Sequence, residues 1–177
     1  MERLNRQPVS EATGQAADLF AGIKRAVGMV PNAYAGIGSN SPAALQIVLA
    51  TGDALSKGAL SSKDLEAIKL AISGAVDCDY CLAAHSLMGK KAGIAADDVV
   101  ALREGRGAAD ARLNALATFA RTVFTSRGTV PAGVVDAVKA AGYNDQQIVE
   151  TLLAIADITF TNLFNRVNDT VVDFPKI

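Results

Sequence analysis

The chain has 177 residues, enough for one domain that buries a core without covalent staples. Half of the residues are apolar and only 5% are aromatic, with no Trp, so Ala, Leu, Ile and Val must supply the core. A formal charge of -1 gives no field that would draw in nucleic acid or an anionic membrane.

The start, Met1 to Arg6, leads into no apolar run and predicts no secretory leader. Residues 1–12 read as a flexible arm on a single helical domain spanning 1–177. From Gly14 to Val27, apolar positions recur at helical spacing, with Gly28 and Pro31 as the stop. Asn32 to Ile37 predicts a short helical turn ended by a break at Gly38-Ser39-Asn40. Ser41-Pro42 opens a helix to about Ser56, with Ser as cap and Pro at the first helical position. Ser61, with Asp64 reaching back, opens the next, which Gly74 loosens near Val76-Asp77. Asp77 is then a cap for a helix holding Cys78 to about Lys91 and ending at Gly93.

Further helices are expected at Ala96–Glu104, Ala109–Ser126 and Pro131 to Gly142. Asn144 and Gln147 form a capping pair for the last, about Asp145 to Asn168, whose apolar stripe is Ile148, Leu152, Ile155, Thr159, Leu163 and Phe164. The segment Thr151 to Ile158, interrupted by Asp157, falls short of the ~20 apolar residues that cross a bilayer. No stretch alternates as a strand does. The fold class expected is all-α, a compact helical domain, cytoplasmic and away from membranes.

Chemistry concentrates in one place. Cys78-Asp79-Tyr80-Cys81-Leu82-Ala83-Ala84-His85 holds both cysteines and the only histidine. At offsets of three, four and seven, the three side chains share one helical face. On the preceding helix, Glu66 lies as far before the break at 74–77 as His85 lies after it. In an antiparallel helix hairpin the two therefore meet, and a carboxylate on one imidazole nitrogen makes the other a better base. The thiols fall in the first turn of their helix, where free N–H groups and the dipole favour a thiolate. Lowering a thiol pKa by ~2 units takes ~2.7 kcal/mol of preferential thiolate stabilisation. Residues at i and i+3 have Cβ atoms ~5–6 Å apart against ~3.8 Å in a disulfide, so closure needs a small distortion.

The pattern Glu66-x11-Cys78-x2-Cys81-x3-His85 resembles the active-site motif of the alkylhydroperoxidase D / carboxymuconolactone decarboxylase-like superfamily. The lead-in Leu60 to Ile68 resembles that family too, while Gly28-Met29-Val30-Pro31-Asn32 and Ser41-Pro42 are similar to its peroxidase-related branch. The resemblance implies an alkylhydroperoxidase D-like helical subunit, assembled as a trimer or hexamer, with thiol-dependent peroxidase activity. By position it implies Cys81 as the peroxide-attacking thiol, Cys78 as the resolving one, and His85 with Glu66 as proton relay. An external dithiol, thioredoxin-like or lipoyl-type, would reduce the disulfide, with no cofactor and no metal. Where alkylhydroperoxidase D carries a second His before the second Cys, this chain has Tyr80, an auxiliary group that cannot act as a base near neutral pH.

Rival readings of the same residues are a buried pair of small hydrophobes, zinc held by Cys78, Cys81, His85 and Glu66, and a non-catalytic module whose disulfide state alters assembly. A thioredoxin-like assignment needs βαβ context, which is missing.

Overall fold

Caps written into the sequence set where most helices begin and end. The computed structural model describes residues 2–175, and among these it has nine α-helices and no strand. They are α1 (Gly14–Val27), α2 (Asn32–Asn40), α3 (Pro42–Ser56), α4 (Ser62–Ala75), α5 (Asp79–Lys91), α6 (Ala96–Glu104), α7 (Ala111–Thr125), α8 (Ala132–Ala140) and α9 (Asp145–Asn168). Gly28 leaves α1 at a left-handed φ of 84°, and Ser41 Oγ accepts the Ala44 N–H at the start of α3. Ser61 with Asp64, and Asn144 with Gln147, close reciprocal capping boxes on α4 and α9. The fold class is all-α, as the sequence implies.

The centre is α4. Ala67, Ile68, Leu70, Ala71, Ile72 and Ser73 are each at most 1% exposed, so this helix has almost no solvent face beyond its first turn. It packs on α5, α6, α7 and α9. One side joins Leu116, Phe119, Ile155 and Ile158 of α7 and α9, and the other joins Val99, Leu102, Leu113 and Ala117 of α6 and α7. Each fully buried Leu or Ile here stabilises the fold by about 1.5–3 kcal/mol relative to an exposed one. A separate cluster of Phe20, Ile23, Ile37 and Leu45 ties α1, α2 and α3 together.

Several local expectations give way to packing. The break expected at Gly38 is absent, and α2 runs on to Asn40. A Cβ on Gly38 would lie 2.5 Å from the Phe20 ring and 2.7 Å from Leu45, so this glycine permits close approach and makes no turn. Gly74 likewise sits inside α4, where a Cβ would meet the Arg103 carbonyl oxygen of α6. Asp77 is not the cap of α5. Cys78 takes that position in extended conformation, while Asp77 turns the chain at φ 50° with its carbonyl accepting from Arg166 Nη1 at 2.5 Å.

The N-terminal segment, read as a loose arm, runs against the last helix. The Arg3 N–H donates to Asn168 O at 2.8 Å and the Leu4 N–H to Asn168 Oδ1 at 2.8 Å. On α9 the buried face is Thr151, Ala154, Ile155, Ile158, Asn162, Asn165 and Asn168, whereas Leu152 and Leu163 of the expected stripe are exposed. By length and composition α9 could cross a membrane, contrary to the reading of Thr151 to Ile158 alone. Its inward face is lined by polar groups that find partners on α4, α5 and the chain after α9.

A second polar anchor fixes α4 at its start. Asp64, 1% exposed, accepts from Tyr143 Oη at 2.6 Å and Arg112 Nη1 at 2.9 Å through one oxygen, and from Ser61 N at 3.0 Å through the other. Arg112 also stacks over the Tyr143 ring, 3.9 Å from its centroid. Asp64→Ala strands these donors together and should lower stability by roughly 3 kcal/mol. Gly74→Ala, which drives a methyl into backbone, should cost about 3 kcal/mol by overpacking. Urea unfolding followed by circular dichroism measures both, and wild-type midpoints would overturn this account of α4.

Candidate active site

The turn at Asp77 delivers Cys78 to the N-cap of α5 and Cys81 to its third helical position. Both cysteines are free and buried, and their sulfurs approach to 2.6 Å, outside the ~2.05 Å of a disulfide. Part of the wall around them is Ala33, Tyr80, Val76 and Phe174. From α9, Asn165 Nδ2–H donates to Cys81 Sγ at 3.3 Å, and Asn162 Nδ2–H donates to Ser73 Oγ at 3.1 Å beside the pair.

Two buried thiols in contact share one proton more readily than they lose two. The Cys78 thiol is lowered to about 7, chiefly because Cys81 hydrogen-bonds to its sulfur. Burial opposes this, while the Cys81 backbone N–H, Asn162 and the positive charge of Arg166 add to it. The Cys81 thiol is pushed up by the same contact and by burial, against the pull of Asn165 and Asn162. In the reduced pair the negative charge therefore rests on Cys78. The positive end of α5 adds to the local field.

The α4–α5 hairpin brings Glu66 and His85 together as the spacing about the turn implies. Glu66 Oε2 lies 2.8 Å from His85 Nδ1, and its other oxygen lies 3.8 Å from Lys69 Nζ. Burial pushes the Glu66 carboxyl up, but the His85 charge and hydrogen bond, helped by Lys69, outweigh it and hold the pKa below the usual range. A carboxylate on Nδ1 makes that nitrogen the proton carrier and leaves Nε2 to accept. The four residues form two pairs, sulfur with sulfur and carboxylate with imidazole. Among the described residues no group of three or more His, Cys, Asp or Glu side chains is arranged to hold a metal ion.

Tyr80 points elsewhere. Its hydroxyl accepts the Ala33 N–H at 3.1 Å and its ring stacks edge-on against Phe174, tying α5 to the start of α2 and to the C-terminal segment. Another phenol, Tyr34, stands in the field of the site. Burial first, then the charges of Asp157, Glu66 and Cys81, raise it to about 12, so it stays protonated and can only donate or accept a hydrogen bond. Asp157 is itself pushed up by burial, against Lys69 and His85.

Tyr34, Lys69, Asp157, Asn162 and Asn165 are neighbours of the chemistry that sequence reasoning passed over. Asn162, Asn165 and Asn168 did leave a signal. Three carboxamides spaced by three residues in an otherwise apolar helix mark a buried polar row.

Residues 42–123 match the Carboxymuconolactone decarboxylase family model, a segment that includes all four motif residues. The comparison with curated proteins gave no match. Among solved structures, an alkylhydroperoxidase AhpD core, a peroxidase-related protein from Ralstonia eutropha JMP134, superposes with a TM-score of 0.87 at 19% identity, covering 97% of this chain and 92% of that one. A peroxidase-related protein from Silicibacter sp. TM1040 gives 0.83 at 21% identity, over 96% and 91%. The debrominase Bmp8, solved with 2,3,4-tribromopyrrole after replacement of a cysteine by alanine, gives 0.79 at 20% identity, over 98% and 92%. The matches thus include enzymes. Residues 42–123 thus resemble the Carboxymuconolactone decarboxylase family, and the chain as a whole has the all-α fold of these structures.

Proposed function

We propose that this protein is a thiol-dependent peroxidase of the peroxidase-related branch, acting in the reducing cytoplasm. The observation that carries the reading is a touching pair of thiols and a carboxylate-held imidazole set one turn apart on α5. Two free sulfurs touch in the first turn of α5, and a carboxylate-held imidazole follows one turn on. Cys81 passes its proton across the sulfur contact to Cys78 and attacks the terminal oxygen of a hydroperoxide. The O–O bond breaks, His85 relays to the departing alkoxide a proton taken up at Nε2 from solvent, and Cys81 is left as sulfenic acid. Cys78 then attacks that sulfur, water leaves, and the pair is a disulfide. An external dithiol returns two electrons by exchange.

A second reading is reductive debromination, favoured by the fold shared with Bmp8. It draws on the same two electrons, replacing a carbon–bromine bond by carbon–hydrogen with release of bromide.

One equivalent of hydroperoxide should consume two thiols per chain, and Cys81→Ser should abolish turnover with excess dithiol. His85→Asn should slow turnover by roughly 10²–10⁴-fold while both thiols remain titratable. Full turnover by Cys81→Ser would sink the peroxidase cycle. A bromopyrrole that consumes the thiols where hydroperoxide does not would move the assignment to debromination.

The thiolate on Cys78 has a pH signature. Because its pKa is lowered to about 7, the thiolate is lost as pH falls through 7 and complete above it. Iodoacetamide incorporation at Cys78 should rise with a midpoint near that value. In Cys81→Ala, which removes the main cause, the midpoint should move toward the ~8.5 of a free thiol. Equal midpoints would show that Cys81 does not stabilise the charge.

The outer face of α9 exposes Val149, Leu152, Phe160, Leu163 and Val167 in one helical row. We read it as the contact between subunits of a homo-oligomer, a trimer or hexamer. Leu163→Asp should yield monomer in analytical ultracentrifugation, and a wild type that sediments as monomer would overturn it.

A further inference from the structure

Outside the Glu66–His85 side of the site, a recess of about 340 Å³ opens at the start of α5. It is lined by Cys78, Asn165 and Arg166, with Asp77, Asp79 and Asp169 among the groups around it. Cys81, His85 and Glu66 are not part of its wall. Asn165, 5% exposed, belongs to this wall and also holds Cys81 through Nδ2, while its buried Oδ1 has no hydrogen-bond partner among the described residues. An orphaned buried carbonyl costs about 1–3 kcal/mol, a penalty that a donor entering the recess would relieve.

We propose that this recess is the port for the reducing dithiol, and that the dithiol attacks the disulfide at Cys78. The inference rests on the reading that the pair cycles through a disulfide. An incoming thiol occupies the recess with its S–H on Asn165 Oδ1 and attacks Cys78 Sγ as the thiolate. The Cys78–Cys81 bond breaks, and its electron pair goes to Cys81, where the Asn165 N–H receives the charge and the proton released by the incoming thiol follows. The second thiol of the reductant loses its proton to solvent and attacks the reductant sulfur bound to Cys78 in the mixed disulfide. Cys78 leaves as thiolate, and the reductant departs as disulfide. Cys78 suits that departure, since the Cys81 hydrogen bond and Arg166 stabilise its charge. Peroxide chemistry at Cys81 and recycling at Cys78 thus use different sides of one pair. With Asp77 and Asp79 against one guanidinium, the port should favour neutral or cationic thiols over anionic ones.

The test forms the disulfide with diamide, so that it does not depend on peroxide. Oxidised protein is mixed with 2-mercaptoethanol, quenched in acid within milliseconds and blocked with N-ethylmaleimide, and fragment-ion mass spectrometry locates the adducts. Mercaptoethanol on Cys78 with maleimide on Cys81 is the expected pattern, and the reverse overturns the proposal. Single-cysteine variants supply the second arm with hydroxyethyl disulfide as probe. Cys81→Ser should form the mixed disulfide at least tenfold faster than Cys78→Ser, and equal or inverted rates overturn it. Asn165→Leu should slow reduction by 2-mercaptoethanol severalfold, and 3-mercaptopropionate should be slower than 2-mercaptoethanol on wild type. Unchanged reduction in that variant removes Asn165 from the port. If diamide-formed disulfide behaves as expected while hydroperoxide leaves the thiols intact, the peroxidase reading fails and the port stands.

Discussion

Most of this molecule follows from one constraint: α4 has almost no face left for water. From Ala67 to Ser73 nearly every residue is fully covered, so α5, α6, α7 and α9 are placed by the need to cover it. A helix buried in this way cannot rotate or slide without exposing leucine or opening a void, and both cost kilocalories. Gly74 against the Arg103 carbonyl sets its height against α6, and Asp64 fixes its start. Glu66 is the charged group this rigid element carries into the site. Its position is thereby held by the core and not by the site itself, which is how a hydrogen bond to His85 survives on residues separated by 19 positions.

The thiols obey a different economy. A thiolate alone in an apolar wall is unfavourable, and the groups that favour one on Cys78 are chiefly hydrogen-bond donors, with the charge of Arg166 adding least. Charge becomes tolerable because two sulfurs share a proton, with Asn162, Asn165 and the start of α5 supplying partial charges around them. That arrangement holds a single negative charge well and a second one badly. It favours a pair that trades one proton internally and reacts as a unit, ending in a disulfide, over two independent nucleophiles.

What could be read in the sequence was local and periodic. The capping boxes at Ser61 and Asn144, and the arithmetic placing Glu66 opposite His85, needed only helix geometry and a turn. Gly38 and Gly74 misled because a glycine within a helix has two opposite meanings, a break or a close approach, and only the neighbouring helix decides between them. Asp77 misled because the cap position depends on where the preceding turn releases the chain. The stripe on α9 was misread for a related reason. A hydrophobic pattern ranks Leu152 and Leu163 as core and Asn162 and Asn165 as surface, yet here the carboxamides face inward. Buried sulfur, serine hydroxyl and backbone groups supplied by other elements offer them partners, and none of these can be seen in α9 alone.

Helix α9 consequently faces two ways. Its inner row of asparagines reaches Ser73 of α4, Cys81 of α5 and Thr170 beyond its own end, so it bridges the rigid centre, the Cys81 sulfur and the segment that packs against Tyr80. Its outer row is apolar and exposed. Burying that outer row against another subunit would restrain the helix that carries Asn165, and with it the polarity around Cys81. Were the outer row buried in that way, assembly would bear on the Cys81 environment through α9 itself, because a small tilt of this helix changes the Asn165 to Cys81 contact directly.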